Sequence, residues 1–156
     1  MSSLRKAFKT SSSLETKGVT LEIGNTRILV ARAGGLNVKY NEAMMKLHKE
    51  HKRAVELDLM GEEKGRDLLY GVYAEHVVLD WHTNVNDEKK DGFTGEPLPE
   101  DWKQGIDDGK GGVIELTFEN VKATFTELPD LFIEVKNFAE NMQWYKQSII
   151  DEAVKN

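Results

Sequence analysis

Between Val19 and Arg32 the chain alternates apolar and polar residues, turns, and runs extended again, and this feature limits the fold most. Val19-Thr20-Leu21-Glu22-Ile23 alternates, Gly24-Asn25-Thr26 supplies turn chemistry, and Arg27 to Arg32 reads as a second strand. A two-stranded hairpin is marginal in water by itself. Leu21, Ile23, Ile28 and Val30 therefore need a partner surface, either from helices of the same chain or from a neighbouring subunit. Gly34-Gly35 ends the second strand, and Asn37 is placed to cap a helix beginning at Val38.

Beyond the hairpin the period changes from two to that of a helix. Tyr40, Met44, Leu47, His51 and Val55 lay one apolar stripe along a first long helix ending near Met60-Gly61. From Glu62 to about Trp81, Leu68, Leu69, Val72, Tyr73, His76, Val77 and Leu79 predict a second helix at the centre of the core. Residues 82–116 lack helical periodicity, hold Pro97, Pro99 and many glycines, and read as a long acidic loop. Thr117 is the candidate N-cap of a short third helix bearing Val121, Phe125 and Leu128 and closed by Pro129. Asp130 opens a fourth helix whose stripe of Phe132, Val135, Ala139, Met142 and Tyr145 extends through Ile149 towards the carboxyl end. The expected fold class is mainly α within α+β: a flexible amino-terminal arm (1–17), then one helical domain (18–156). That domain comprises the hairpin (18–33), a compact bundle of about four helices, and the long loop (82–116) between helices two and three.

Charge and composition restrict the function classes. A net charge of −6 over 156 residues argues against a phosphate-backbone partner, because nucleic-acid affinity rests on Lys and Arg displacing counterions. With no cysteine, disulfides, thiolate zinc sites, iron–sulfur clusters and cysteine nucleophiles all drop out, and a reducing compartment is the expected home. No apolar run approaches the ~20 residues that span a bilayer, and no signal-peptide h-region follows the basic residues Arg5, Lys6 and Lys9. Neither a membrane nor secretion is expected.

Four histidines are the candidates for proton transfer or metal ligation: His48, His51, His76 and His82. His48 and His51 share a helix face, but nothing in the spacing brings a third and fourth ligand, and no Glu precedes a His by three as helical di-iron sites require. Asp87, Glu88, Asp91, Asp107 and Asp108 lack the order of a calcium loop. Phosphate-binding glycine motifs, nucleophile elbows and zinc-protease helices are absent too. The expectation is a protein without catalytic, metal or cofactor sites. The aromatic residues suggest binding instead, because Phe138 and Trp144 lie off the main stripe of the fourth helix.

Several blocks, in order along the chain, resemble the tail assembly chaperones of tailed bacteriophages. They are Leu21 to Ile28, Ala31 to Asn37, Val72 to Trp81, and Phe118-Glu119-Asn120 with Leu128 to Phe132. The resemblance implies a non-catalytic assembly factor of the host cytoplasm. Such a factor binds the tape-measure protein, keeps its long apolar helix soluble, recruits major tail-tube protein subunits, and is absent from the mature virion. Self-association and a longer frameshifted product are further implications. About a dozen extra residues around Pro99 to Gly112 depart from similar sequences, an insertion that is cheap in loop entropy. The expected protein-binding surface is the fourth helix, with Phe138, Met142, Trp144 and Tyr145, together with the hairpin residues Leu21, Ile23, Ile28 and Val30. The competing readings are a structural virion component of the tail or head–tail connector, and a small metal-dependent enzyme using the histidines.

Overall fold

The structure, a computed structural model, describes residues 3–56, 62–84 and 102–150. Strands β1 (Val19–Ile23) and β2 (Thr26–Val30) form the expected hairpin, paired from Val19↔Val30 to Ile23↔Thr26. The partner surface the hairpin needs begins with a third strand, β3 (Val78–Asn84), which pairs antiparallel with β2. A short β4 (Trp102–Gln104) comes next, giving a four-stranded sheet in the order β1-β2-β3-β4. Direct cross-strand partners share a face. Leu21, Ile28 and Trp81 therefore line up on one side of the sheet, and Glu22, Arg27, His82 and Gln104 on the other.

The first of those faces is the core. Ile28, Val30 and Trp81 pack with residues of α4 (Glu62–His76), α5 (Phe118–Glu127) and α6 (Pro129–Glu140) in one continuous apolar cluster. Its middle is aromatic. Phe132 sits 4.6 Å from Tyr70, 4.9 Å from Tyr73 and 5.2 Å from Phe125, centroid to centroid, in tilted and edge-on contacts. The remaining long helix, α3 (Val38–Glu56), joins through Tyr40, edge-on to Tyr73 at 5.9 Å. The protein is thus mixed α+β: a four-stranded antiparallel sheet shares its core with the helices, and no free-standing bundle of four helices forms among the described residues.

The second helix stops earlier than the sequence reading expected. It ends at His76, and Val77 to Trp81 pass into β3. Asn37, itself buried, explains the switch: its amide donates to the His76 carbonyl at 3.2 Å and to the Arg32 carbonyl at 2.8 Å. The next carbonyl, Val77, accepts from Ala31 N–H at 2.8 Å, so the backbone transfers its hydrogen bonds from helix to sheet within two residues. Val77, Val78 and Leu79 suit a strand as well as they suit a helix stripe, and periodicity alone does not separate the two.

Two further expectations change. The segment 1–17, expected to be a flexible arm, contains the short helices α1 (Leu4–Phe8) and α2 (Ser12–Lys17), capped by Ser3 and Ser11. The segment 82–116 is not one loop, since residues 82–84 complete β3 and residues 102–114 hold β4, β5 (Ile106–Asp107) and β6 (Val113–Ile114). The expected end of the first long helix at Met60-Gly61, the acidic residues Asp87, Glu88 and Asp91, and residues 151–156 lie outside the described residues.

The β5–β6 turn is organised by Asp108, whose carboxylate accepts from Lys110 N–H at 2.7 Å and Gly112 N–H at 3.0 Å. Those bonds, the Lys110 amide first and Gly112 next, lower the Asp108 pKa below its ordinary 3.8. Hydrogen bonds to the charged form act in this direction. A depressed carboxylate supports the fold above its unfolded pKa and withdraws that support as pH falls through the folded value. In an acid titration followed by amide NMR, the Lys110 and Gly112 signals should therefore move below pH 3.8; movement at or above that value would contradict the assigned bonds.

Candidate protein-binding surface

The expected binding residues fall into two groups once their surroundings are known. Tyr145, Ile28 and Val30 are buried and hold the fold together, so they do not line an open surface. Tyr145 is 0% exposed; its hydroxyl donates to the Val30 carbonyl at 3.0 Å, which ties residues 142–145 to β2. Burial, the largest cause, raises its pKa, so the phenol stays protonated and keeps donating. Leu21, Ile23, Phe138 and Met142 are half-buried. Trp144 is 46% exposed, and its ring stacks on Phe138 at 5.3 Å with an interplanar angle of 11°.

The local sequence explains why Trp144 projects. The fourth helix does not continue through Met142 as expected: α6 ends at Glu140, and Met142–Tyr145 form a 3-10 turn. Asn141 causes the break, its side chain accepting from Gln143 N–H at 3.0 Å, a local bond that competes with helix continuation. Tyr145 still faces inwards, in line with the stripe of Phe132, Val135 and Ala139, while Trp144 lies over Phe138 at the surface. Residues 147–150 resume a helical course and carry the exposed Ile149.

The amino-terminal segment packs beside this turn. Thr10 bridges to Lys146, Ser11 N–H donates to the Tyr145 carbonyl at 2.8 Å, and Gln147 N–H donates to the Lys9 carbonyl at 3.1 Å. These bonds hold the chain just after α1 against residues 145–147, which follow Trp144. On α1, Leu4 is 76% exposed and Phe8 61%, and their spacing of four puts them on one helix face. The sequence reading missed both residues because it treated this segment as unstructured; the capping Ser3 and the Leu4/Phe8 spacing were the available signal.

Two other regions have less to offer. A shallow groove between α3, α4 and α5, about 460 Å³, has Leu47, Leu68, Val72 and Phe118 among its lining, between charged Lys and Glu side chains. The histidines do not converge: His48 is exposed on α3, His51 half-buried, His76 lies 3.4 Å from Glu75 and His82 3.8 Å from Asp80. Among the described residues no three His, Asp or Glu side chains are grouped so as to hold a metal ion. Among the same residues no helix is long and apolar enough to cross a membrane.

Residues 93–156, which include α5, α6 and the turn bearing Trp144, match the family model described as YdaY prophage protein. The match marks the chain as phage-derived. No curated protein and no solved structure matches it. The segment that carries the phage likeness is also the one that presents the stacked Phe138–Trp144 pair.

Proposed function

We propose that this phage-derived protein is a tail assembly chaperone: it binds the tape-measure protein, keeps it soluble, recruits major tail-tube subunits and leaves before the virion is complete. The observation that carries the reading is the Phe138–Trp144 stack, with Trp144 about half exposed, beside α1 with its exposed Leu4 and Phe8. Chaperoning a long apolar helix calls for exposed aromatic and aliphatic side chains set in a charged surface, and no catalysis. A chain with 31% charged residues and this apolar strip fits that requirement. The order of the resembling blocks, from the hairpin to Leu128–Phe132, supports the same role.

Co-expression with the longest reading frame encoded downstream, the expected tape measure, tests the role. The expected result is a soluble complex that co-purifies; an insoluble partner with nothing bound to this chain would rule the role out. Recovery of the protein as a permanent component of purified virions would support the structural-component reading instead.

A further inference from the structure

Among the described residues Glu15 is the one acid that is completely buried, and its surroundings are unusual. Its Oε2 accepts from Leu36 N–H at 2.6 Å, and its Oε1 faces the Arg32 guanidinium, 4.0 Å from Nη1. That second contact is an ion pair without hydrogen-bond geometry. Among the described residues, Glu15 Oε1 and Arg32 Nε and Nη1 have no hydrogen-bond partner. The guanidinium also lies over the Tyr145 ring, 5.6 Å from its centroid. At Gly35, with φ of +50°, a Cβ would fall 2.6 Å from Oε1, so the carboxylate occupies space that only a glycine leaves open.

A buried charge is tolerated when paired and fully hydrogen-bonded. Here the walls are well made for a carboxylate: a guanidinium, a backbone amide and a glycine turn. The carboxylate present nevertheless leaves donors and an acceptor unused. It is delivered by a segment, residues 3–17, that joins β1 through Gly18 at φ +92° and is bonded to the rest of the chain through the Glu15 carbonyl to Arg32 N–H, Ser11 N–H to the Tyr145 carbonyl, and the Lys9 carbonyl to Gln147 N–H. We infer that Arg32, Gly35 and Leu36 form a carboxylate socket in which Glu15 is an exchangeable internal plug, replaced by an acidic side chain of a docking polypeptide. The socket's chemistry is independent of whether that partner is a tape measure.

The test is chemical rescue in the full-length Glu15→Ala protein. Its melting temperature is measured against sodium acetate and against N-acetylglutamate amide, with sodium chloride at matched ionic strength as control. The expected result is a lowered melting temperature that rises saturably with either carboxylate and not with chloride, and a rise that disappears when Arg32→Met is added. Superimposable acetate and chloride curves would overturn the socket. Should Glu15→Ala not fold, the isosteric Glu15→Gln keeps the shape and removes the charge. Hydrogen exchange at the Leu36 amide should then be about tenfold faster than in the unaltered protein, a loss of about 1.4 kcal/mol of protection. Unchanged protection would overturn the inference equally.

Discussion

Phe132→Ala should destabilise the protein by about 3–5 kcal/mol, the range for removing a large buried aromatic side chain. The side chain is buried at the meeting point of Tyr70, Tyr73 and Phe125, so truncation removes three ring contacts at once and leaves a cavity walled by rings from α4 and α5. Those rings cannot collapse together without moving the helices that carry them, which places the cost towards the upper end of the range. A single domain has about 5–15 kcal/mol of stability in total. Urea denaturation should show a sharply lowered midpoint with an unchanged slope. A shift under about 1 kcal/mol would mean that the aromatic cluster is not the centre of the core.

Tyr145→Ala should cost a similar amount, about 3–5 kcal/mol, through a different route. Its ring is buried between Phe138 and the Arg32 guanidinium, and its hydroxyl fixes the carboxyl-terminal turn to the Val30 carbonyl. Removing the ring also strips one wall from the Glu15–Arg32 pair, so the amino-terminal segment should loosen with the turn. Tyr145→Phe isolates the hydroxyl: its loss should cost about 1–2 kcal/mol, the penalty for unpairing one buried hydrogen bond. The pH dependence separates the ring from the hydroxyl. Because burial raises the phenol's folded pKa above its unfolded value, its stabilising effect is complete below about pH 10 and is lost as the solution becomes more alkaline. The alkaline decline in stability should therefore be shallower in Tyr145→Phe; identical profiles would show that the hydroxyl is not buried as described.

The parts of this fold that were legible in the sequence are those governed by local chemistry. Gly24-Asn25-Thr26 between two alternating runs specifies a hairpin whatever surrounds it, and Thr117 accepts from Asn120 N–H at 3.0 Å as a helix cap should. The features that the sequence concealed depend on partners far along the chain. Val78 to Trp81 are a strand because Asn37 and Ala31 take up the end of α4 and because β2 offers an edge, facts that no window around residue 77 contains. The expected binding residues divide in the same way. Phe138 and Trp144 stand off the helix stripe and do lie partly at the surface, whereas Tyr145, expected both on the stripe and on the binding surface, belongs with the stripe and is buried. Leu4 and Phe8 escape the sequence because a five-residue helix carries little periodic signal; the segment that bears them is held through Ser11 to Tyr145 and Lys9 to Gln147, far along the chain.

The stacked pair also gives the account its most direct test. Trp144→Ser uncovers one face of Phe138 and removes a side chain that is itself 46% exposed, so the melting temperature should change little, as surface substitutions generally do. On the proposed function, the unaltered chain co-expressed with the tape-measure protein should keep that partner in solution, and this variant should leave most of it insoluble. If Trp144→Ser, folded and equally abundant, holds the tape measure in solution as well as the unaltered chain does, the Phe138–Trp144 surface is not where this protein grips its partner.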